Sequence, residues 1–554
     1  MSFATPLDKA EILLEADEFV TRYNLHDSRD LIRKGALLSY DPHDYARADG
    51  LTDDEITALQ DDKVELSRSN ISLFRALAGL LYVVLIASLP LYKYSAFWQP
   101  SSAHYPGSVL LVVIQLLEHP LAALLSNGVG RRQALRTAST LAILRACLAF
   151  LRISKQYSRR LELAFLNIDR LFVGVALATL SFNMPLHLAE YAPASVRGRA
   201  MLLWPLVVGL FDLLMRSLLL PVFMPTPRDV TQINIVIIPI AISFSFSLRH
   251  MTLESPYQCI AQGHMASSLQ ALYKARHSKI VAARDLYRIY ATSPLESSRA
   301  SQSARRTIIY SVTIMLVRIL MIPSEQVTEH LLGKTDIYQV VAMSLSTVFA
   351  LAIIASLFQL MDYNRWGQRH YLLSRILMIQ AFDLIVPLNL NLDSMRFVRF
   401  CMQILLSTGL SAVATVYAVE ILPYRCRDKG YAITVSVYNT VRVLVQLIDL
   451  KPYYPFRYPD GGPRPSDLTT ALCRIMHMCA IAVATGLTHS FMRETARIPL
   501  EDMEKLFEAR DRDTILYQMT IVWPYLFKRY VLWQNVALEP FEESQYGAGA
   551  IALT

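Results

Sequence analysis

The stretch LAEYAPASVRGRA at 188–200 places one acidic and two basic residues between apolar runs. Glu190 stands seven residues before Arg197, and Pro193 follows the glutamate by three. Carboxylates and guanidinium groups at the ends of apolar runs can pair between neighbouring helices, and arginine forms bidentate bonds that lysine cannot match. The stretch therefore contains candidate ion-pair residues at the end of an apolar segment.

The stretch VEILPYRCRDKG at 419–430 repeats this arrangement in the second part of the chain. Glu420 again stands seven residues before a basic residue, Arg427, and Pro423 again follows the glutamate by three. A single copy is easily produced by chance, but two copies predict an internally repeated protein.

The composition indicates a membrane protein. The chain has 554 residues, of which 53% are hydrophobic and 18% charged, and its mean hydropathy is +0.31. Apolar runs of about 20 residues, long enough to cross a bilayer as helices, recur along the chain. Helices are the expected form because unpaired backbone groups are costly in lipid. The predicted fold class is an all-α polytopic membrane protein with about twelve transmembrane helices in two six-helix halves. We expect these spans near 71–92, 107–127, 137–152, 169–189, 200–224, 231–249, 307–323, 336–360, 371–388, 397–419, 430–449 and 468–492.

A polar segment between the two sets of spans defines the domain organisation. Apolar residues with helical spacing occur in it, at Ile280, Ala283, Tyr287 and Tyr290. Basic residues are concentrated in alternate connections, which places those connections and both termini in the cytosol, although RISKQYSRR at 152–160 does not fit this rule. The predicted parts are a cytosolic N-terminal tail at 1–68, six-helix halves at 69–250 and 307–492, a cytosolic helical linker at 251–306 and a cytosolic C-terminal tail at 493–554.

Other features of the sequence narrow the function. The N-terminal tail has a helix start at LTDDEITALQ (51–60) and no signal peptide. The six cysteines show no paired spacing, which argues against a disulfide framework or a zinc site. Basic cytosolic loops account for the net charge of +8, so no nucleic-acid partner is expected. The sequence contains no phosphate loop or catalytic motif, and neither an enzyme nor a cofactor is predicted.

A second basic motif precedes the glutamate motif in each half. GVGRR occupies 128–132 and RWGQR occupies 365–369, in the same order and at a similar distance before the glutamate. The two halves therefore form a parallel repeat, in which the substrate site usually lies near the midplane between the repeats.

These motifs resemble those of the sugar porters of the major facilitator superfamily. The loop signature G-x-x-x-D-R-x-G-R-R is similar to 123–132 and, less closely, to 360–369, and E-x-x-P-x-x-x-R-G is similar to 190–198 with a looser copy from Glu420. P-E-S-P-R is similar to LESPY at 253–257, and P-E-T-K-G-x-T-L-E-E is similar to RETARIPLEDMEKLF at 493–507. The two tails resemble those of a divergent fungal branch.

The resemblance implies a function and a set of gating residues. A sugar porter is a secondary transporter that moves a small solute by alternating access, as a monomer in the lipid bilayer, and the plasma membrane is the expected location. Ion pairs at the cytosolic ends of its helices hold the inside gate shut. The alternative is that these charges are ordinary solvated loop residues. The expected gating residues are Arg131, Arg132, Glu190 and Arg197 in the first half and Arg369, Glu420 and Arg427 in the second.

The sequence departs from the family pattern at the sugar site. Asn127 and Asn364 replace the aspartate of the loop signature, Arg318 stands where the family has a sugar-binding glutamine, and Ser324 stands where it has an asparagine. Pro205 replaces another sugar-contacting glutamine. Because a hydroxyl-rich ligand needs several amide partners, the substrate class stays open between a sugar, a modified sugar and an organic acid or specialised metabolite.

Ionisable residues inside the predicted spans are candidates for a substrate site, because such residues are costly in lipid and mark either a pathway or an internal pair. Arg318 either receives a carboxylate of the solute or forms an ion pair with Asp383 or Asp212. Asp212 and Arg216, four residues apart, share a helix face and can pair with each other. The predicted substrate-binding residues are Arg170, Asp212, Arg216, Arg318 and Ser324.

Two functions remain from the sequence. The first is a secondary transporter, with uptake or export and proton coupling left open. The second is a transport-inactive relative that acts as a nutrient sensor or receptor. Sensors of this fold usually carry a long cytosolic tail, and the short C-terminal tail here favours the transporter.

Overall fold

The structure is a computed structural model. It describes residues 9–40, 50–61, 107–154, 159–193, 197–198, 201, 254–276, 278–292, 298–321, 368–369, 371–374, 376–377, 410, 413–447, 479, 481–489, 491–495, 498, 500–501, 503–507, 511–534 and 536. The predicted spans near 71–92, 231–249 and 336–360 lie outside the described residues, as do Asp212, Arg216, Ser324 and Asp383.

The described residues are mainly helical, in agreement with the predicted class. The principal helices are α1 (Lys9–Arg22), α2 (Arg29–Tyr40), α3 (Asp53–Asp61), α4 (Gly107–Val129), α5 (Arg131–Ser154), α6 (Arg159–Tyr191), α7 (Pro256–Ala261), α8 (Met265–Arg276), α9 (Lys279–Thr292), α10 (Ser298–Met321), α11 (Arg427–Leu447) and α12 (Met503–Leu506). Further helical residues occupy 413–420, 481–489 and 511–531.

The chain divides into two compact units, Met1–Glu296 and Ser297–Thr554. In the first unit, α6 packs against both α4 and α5. In the second unit, α10 packs against α11, and the Ser311 hydroxyl of α10 donates to the carbonyl of Ala418 at 3.0 Å. Among the described residues, no helix combines the length and the apolar character needed to cross a membrane.

The N-terminal helices pack on the predicted linker within the first unit. α2 lies along α9, and the approach is so close that a Cβ atom on Gly35 would stand 2.7 Å from the backbone carbon of Ala283. The four apolar residues with helical spacing lie in α9, where Ile280, Ala283 and Tyr287 are buried and Tyr290 is half-buried. The linker therefore presents its apolar face to the N-terminal tail.

The helix start predicted at LTDDEITALQ is confirmed. The Thr52 hydroxyl accepts a hydrogen bond from the Glu55 N–H at 3.3 Å, and the Glu55 carboxylate accepts from the Thr52 N–H at 3.0 Å. This reciprocal capping satisfies two backbone donors at the start of α3. Glu55 also pairs with Lys34 of α2 at 3.1 Å, which joins α3 to the N-terminal helices.

Candidate functional site

The repeated glutamate of the first half lies at the centre of a buried polar cluster. The Arg131 guanidinium donates to one carboxylate oxygen of Glu190 at 2.6 Å, and the Ser255 hydroxyl donates to the other. Only 4% of Arg131 and 2% of Glu190 are exposed. A buried carboxylate needs a cation and hydrogen-bond donors to offset the loss of water, and both are present here.

The backbone at the start of α5 is the second part of this cluster. The N–H of Arg131 donates to the Gln258 side-chain oxygen at 3.0 Å, and the N–H of Arg132 donates to the Glu254 carboxylate at 3.2 Å. The first N–H groups of a helix have no partner within the helix and favour an anion. Glu254, which precedes α7, and Gln258, which lies on α7, accept from these N–H groups.

Gly130 explains why the chain can turn into α5 at this point. Its φ of +88° lies in the left-handed region, and an added Cβ atom would stand 3.1 Å from the Gln258 side-chain nitrogen. Only glycine adopts this conformation without strain. The glycine of the loop signature therefore allows Gln258 to reach the backbone of α5. We call Arg131, Glu190, Glu254, Ser255 and Gln258 the first cluster.

Arg197, the basic residue seven positions after Glu190, lies beside the end of α6. Its Nε donates to the carbonyl of Ala189 at 3.2 Å, and only 4% of the residue is exposed. Arg197 thus donates to one of the last carbonyls of α6, which lack partners within the helix. The Arg197 side chain therefore contacts the backbone of the residue that precedes Glu190.

The second half builds a corresponding cluster around Glu420. Its carboxylate accepts hydrogen bonds from the Gln368 side-chain amide and, at 3.1 Å, from the Thr495 hydroxyl. Glu494 accepts from the backbone N–H groups of Gln368 at 2.9 Å and Arg369 at 3.2 Å. We call Gln368, Arg369, Glu420, Glu494 and Thr495 the second cluster.

The predicted basic residues of the second half, Arg369 and Arg427, also lie at this site. The Nε of Arg427 donates to the carbonyl of Leu422 at 3.1 Å, and only 1% of the residue is exposed. The Arg369 guanidinium donates to the carbonyl of His489 at 2.9 Å and to the Gln518 side chain at 2.7 Å. Burial lowers the pKa of Arg369 below its ordinary value. Arg369 thus links the second cluster to the C-terminal tail.

The two clusters share one contact scheme. In each, a repeated glutamate accepts from a loop-motif side chain and from a hydroxyl. A second glutamate next to that hydroxyl residue accepts from one loop-motif N–H in the first cluster and from two in the second. The corresponding residues are Glu190 and Glu420, Arg131 and Gln368, Ser255 and Thr495, and Glu254 and Glu494. The clusters differ in two respects. A guanidinium in the first half is replaced by an amide in the second, and the N–H of Arg131 donates to Gln258 whereas the corresponding N–H of Gln368 donates to Glu494.

All seven predicted gating residues that the sequence singled out lie in or beside these clusters. The sequence did not identify the partners in the LESPY and RETAR stretches, namely Glu254, Ser255, Glu494 and Thr495, nor did it identify Gln368. Both stretches contain a glutamate followed directly by a hydroxyl residue. This shared pattern by itself does not indicate which groups the glutamate and the hydroxyl contact.

Of the predicted substrate-binding residues, Arg170 and Arg318 lie in the described part of the chain. The Arg318 guanidinium lies over the ring of Tyr438, 4.9 Å from its centroid, and its Nη1 donates to the Thr415 hydroxyl at 3.4 Å. Arg170 lies in α6. Neither Tyr438 nor Thr415 belongs to the two clusters. Among the described residues, no group of three or more histidine, cysteine, aspartate or glutamate side chains could hold a metal ion.

The clusters and the loop motifs fall within a recognisable family sequence. The sequence model of the sugar (and other) transporter family matches residues 107–507, which is most of the chain. The chain belongs to this family. Comparison with curated proteins gives no sequence match.

Solved structures show the same fold at low sequence identity. The proton:xylose symporter XylE bound to 6-bromo-6-deoxy-D-glucose matches with a TM-score of 0.62 and 15% identity, over 79% of this chain and 98% of that chain. XylE from E. coli in a partially occluded inward-open conformation matches with a TM-score of 0.54 and 14% identity, over 77% and 98% of the two chains. The inward-open conformation matches with a TM-score of 0.53 and 15% identity, over 79% and 99%.

The family assignment confirms several predictions. The chain is a major facilitator superfamily protein of the sugar-porter type, hence a multi-pass membrane protein of a family of transporters rather than enzymes. The fungal branch, the count of twelve spans, the monomeric state and the plasma-membrane location stay predictions.

Proposed function

We propose that this sugar-transporter-family protein moves a small organic solute by alternating access, and that the two clusters brace its cytosolic gate. The observation that carries the proposal is the contact scheme built once in each half around Glu190 and Glu420. Two independent surface patches would not produce the same set of partners from residues so far apart in sequence.

Each cluster joins three segments of its own half. In the first, Glu190 at the end of α6, Arg131 at the start of α5 and Ser255 before α7 all meet at one carboxylate. Truncating one partner of a buried pair costs roughly 3–5 kcal/mol, whereas exposed pairs contribute about 0–1 kcal/mol. A brace of this strength keeps the ends of the helices together while a half moves as a body, which alternating access requires.

The finer part of the proposal concerns the charge of the solute. Arg318 stands where the family places a sugar-binding glutamine, and its guanidinium is held against Tyr438 and Thr415. A guanidinium recognises a carboxylate through paired N–H donors. We therefore propose an acidic organic solute as the substrate class. The competing arrangement is an internal ion pair of Arg318 with Asp383 or Asp212.

Transport assays test both parts. Cells with and without the protein are compared for uptake and export of labelled sugars, modified sugars and organic acids. We expect an acid to move only in cells that contain the protein, and Arg318→Gln to abolish that movement while the folded protein persists at the membrane. If Arg318→Gln misfolds and Asp383→Asn or Asp212→Asn restores it, Arg318 belongs to an internal ion pair and the anion proposal is wrong.

The gate is tested separately from the solute. Glu190→Gln is expected to impair transport of whichever solute is found, and Asp17→Asn, which neutralises an acid of an exposed pair, serves as the matched control. Unchanged transport and unchanged cytosolic accessibility in Glu190→Gln would show that the cluster does not brace the gate. A chain that moves no solute would instead point to the sensor.

A further inference from the structure

The C-terminal tail contains a helix that follows the last family signature. It consists of the α-helical residues Asp511–Tyr517, a wider turn at Gln518–Val522, the α-helical turn Trp523–Leu526 and a second wide turn at Phe527–Val531. Pro524 has no N–H, and its ring would meet the carbonyl of Thr520 in a regular α-helix. The chain accommodates this by widening, so that the Trp523 N–H donates to the Gln518 carbonyl. We call residues 511–531 the tail helix.

One side of the tail helix is fixed to the second unit. Gln518 is buried and accepts the hydrogen bond from Arg369 of the second cluster at 2.7 Å. The Trp523 ring lies against the ring of His489, with 5.0 Å between centroids. His489 is one of the helical residues 481–489, which belong to a predicted membrane span. These contacts hold the tail helix at the end of that span.

The tail helix also exposes a row of large apolar side chains, which includes the solvent-facing part of Trp523. Leu516, Met519, Trp523 and Phe527 are 41%, 62%, 53% and 55% exposed. Their spacing of three, four and four residues places them along one face of a helix. Trp533, which follows the helix, is 89% exposed.

This row is unusual among the described residues. Most other exposed large apolar side chains lie inside or within two residues of predicted membrane spans, where lipid would cover them: Leu117, Leu121, Leu124, Val129, Leu144, Ile168, Leu171, Ile309, Leu377, Ile433, Leu444, Val483 and Leu487. Elsewhere in the described part of the chain, Leu14 and Tyr273 are isolated examples, and Leu532 directly follows the tail helix. The tail helix is therefore a contiguous apolar surface outside the spans, and such a surface indicates an interaction.

The charges of the tail helix specify the partner. Residues 514–535 contain no acidic residue, and the basic residues Lys528 and Arg529 are both exposed. Arg529 donates to the Tyr525 hydroxyl at 2.8 Å, which keeps the cation beside an aromatic ring. Tryptophan and tyrosine favour the membrane–water interface, and basic residues there attract anionic headgroups.

We propose that the tail helix lies in the headgroup layer of the protein's own membrane, on the side of the second cluster, and binds an anionic leaflet. Its exposed apolar row enters the acyl-chain boundary, and Lys528 and Arg529 face the lipid phosphates. Because Gln518 joins the tail helix to Arg369, binding to the leaflet holds the second cluster at a fixed height relative to the membrane. This inference requires a membrane protein but not a transported solute, so it stands or falls independently of the proposed function.

Fluorescence quenching in nanodiscs tests the proposal on the full chain. The protein is placed, one copy per disc, in phosphatidylcholine with or without phosphatidylserine, with lipids brominated near the glycerol end of the acyl chains. The signal of Trp523 is the difference between the wild type and Trp523→Phe, and that of Trp533 is the difference from Trp533→Phe. Trp533 provides a second reporter because its high exposure makes its replacement harmless to folding.

We expect brominated lipid to quench both tryptophans and aqueous iodide to leave them largely unquenched. Replacing Lys528 and Arg529 by glutamine should reduce the quenching in discs that contain phosphatidylserine and leave it unchanged in discs of phosphatidylcholine alone. Strong quenching by iodide and none by brominated lipid would place the row in water and overturn the proposal. Protection from iodide that requires high protein concentration, without quenching by lipid, would assign the row to a second copy of the chain and also overturn it.

Discussion

The Arg131 guanidinium contacts the Glu190 carboxylate at 2.6 Å, and both side chains are almost wholly withdrawn from solvent. The corresponding carboxylate of the second half, Glu420, instead contacts the amide of Gln368. The corresponding loop-motif position therefore supplies a guanidinium to the repeated glutamate in the first cluster and an amide in the second.

Glu190→Gln should lower the thermal stability of the purified full chain. Glutamine retains the size of the side chain, but it leaves the buried Arg131 charge without its carboxylate, and this costs about 3–5 kcal/mol of unfolding free energy. The midpoint of thermal unfolding in detergent measures the effect. Asp17→Asn also removes one negative charge, but from the exposed pair with Arg29, and it should leave the midpoint unchanged within error. Equal shifts in the two variants would contradict the buried pair.

Cys259 should report whether the first cluster is intact. It is buried in α7 beside Gln258, and burial raises the pKa of its thiol to about 11, so little thiolate forms at neutral pH. Maleimide should label it slowly in the wild type at neutral pH and several-fold faster in Glu190→Gln, because Ser255 loses its carboxylate partner. Peptide mass spectrometry identifies the labelled site.

Cys426 provides the internal control for this measurement. It belongs to the other unit and lies beside Arg427 of the second half. Glu190→Gln should leave its labelling rate unchanged. If both thiols become more reactive together, the substitution has loosened the whole protein and the result does not support a local brace.

Gly35→Ala should weaken the packing of the N-terminal helices on the linker. In a helix interior this substitution ordinarily stabilises by up to about 1 kcal/mol. Here the new Cβ atom would lie 2.7 Å from the Ala283 backbone, so α2 and α9 must move apart. Hydrogen exchange of the peptide 279–292 should become faster. Asp30→Ala, on the exposed side of α2, should leave that exchange unchanged, and slower exchange in Gly35→Ala would show that the close approach is absent.

Asp285→Asn should destabilise the linker in a way that depends on pH. Burial raises the pKa of Asp285, but Arg284 and Arg276 outweigh it and hold the pKa well below its usual range. Because the pKa in the folded chain is lowered, the stabilisation is fully present above the unfolded value of about 3.9 and is lost as the pH falls toward the folded value. The difference in unfolding midpoint between wild type and variant should be constant from about pH 5 to 8 and shrink below about pH 4.

Arg276 connects this linker pair to the first cluster. Its guanidinium donates to Asp285 at 2.8 Å and to the carbonyl of Tyr191, the residue after Glu190, at 2.7 Å. In the Asp285→Asn experiment, a difference in unfolding midpoint between wild type and variant that grew as the pH fell below 4 would contradict the lowered pKa of Asp285.

The sequence by itself determined the class of the protein and the location of its repeated site. Hydropathy is a property of short segments, and the glutamate–arginine spacing recurs within each half, so both can be read from neighbouring residues without knowledge of packing. The same holds for the helical spacing at Ile280, Ala283, Tyr287 and Tyr290, which correctly predicted a helix at α9.

Only the tertiary structure decided which groups meet. The motif containing Glu190 also contains Arg197, but Arg197 donates to the Ala189 carbonyl, and the guanidinium at 2.6 Å from Glu190 comes from Arg131, far earlier in the chain. Glu254 and Glu494 reach backbone N–H groups more than a hundred residues away. Such contacts depend on which helix ends pack together. Because every residue except proline has a backbone N–H group, the sequence does not indicate which of these groups donates to which partner. The sequence therefore specified the charges of the site, whereas helix packing selected their partners.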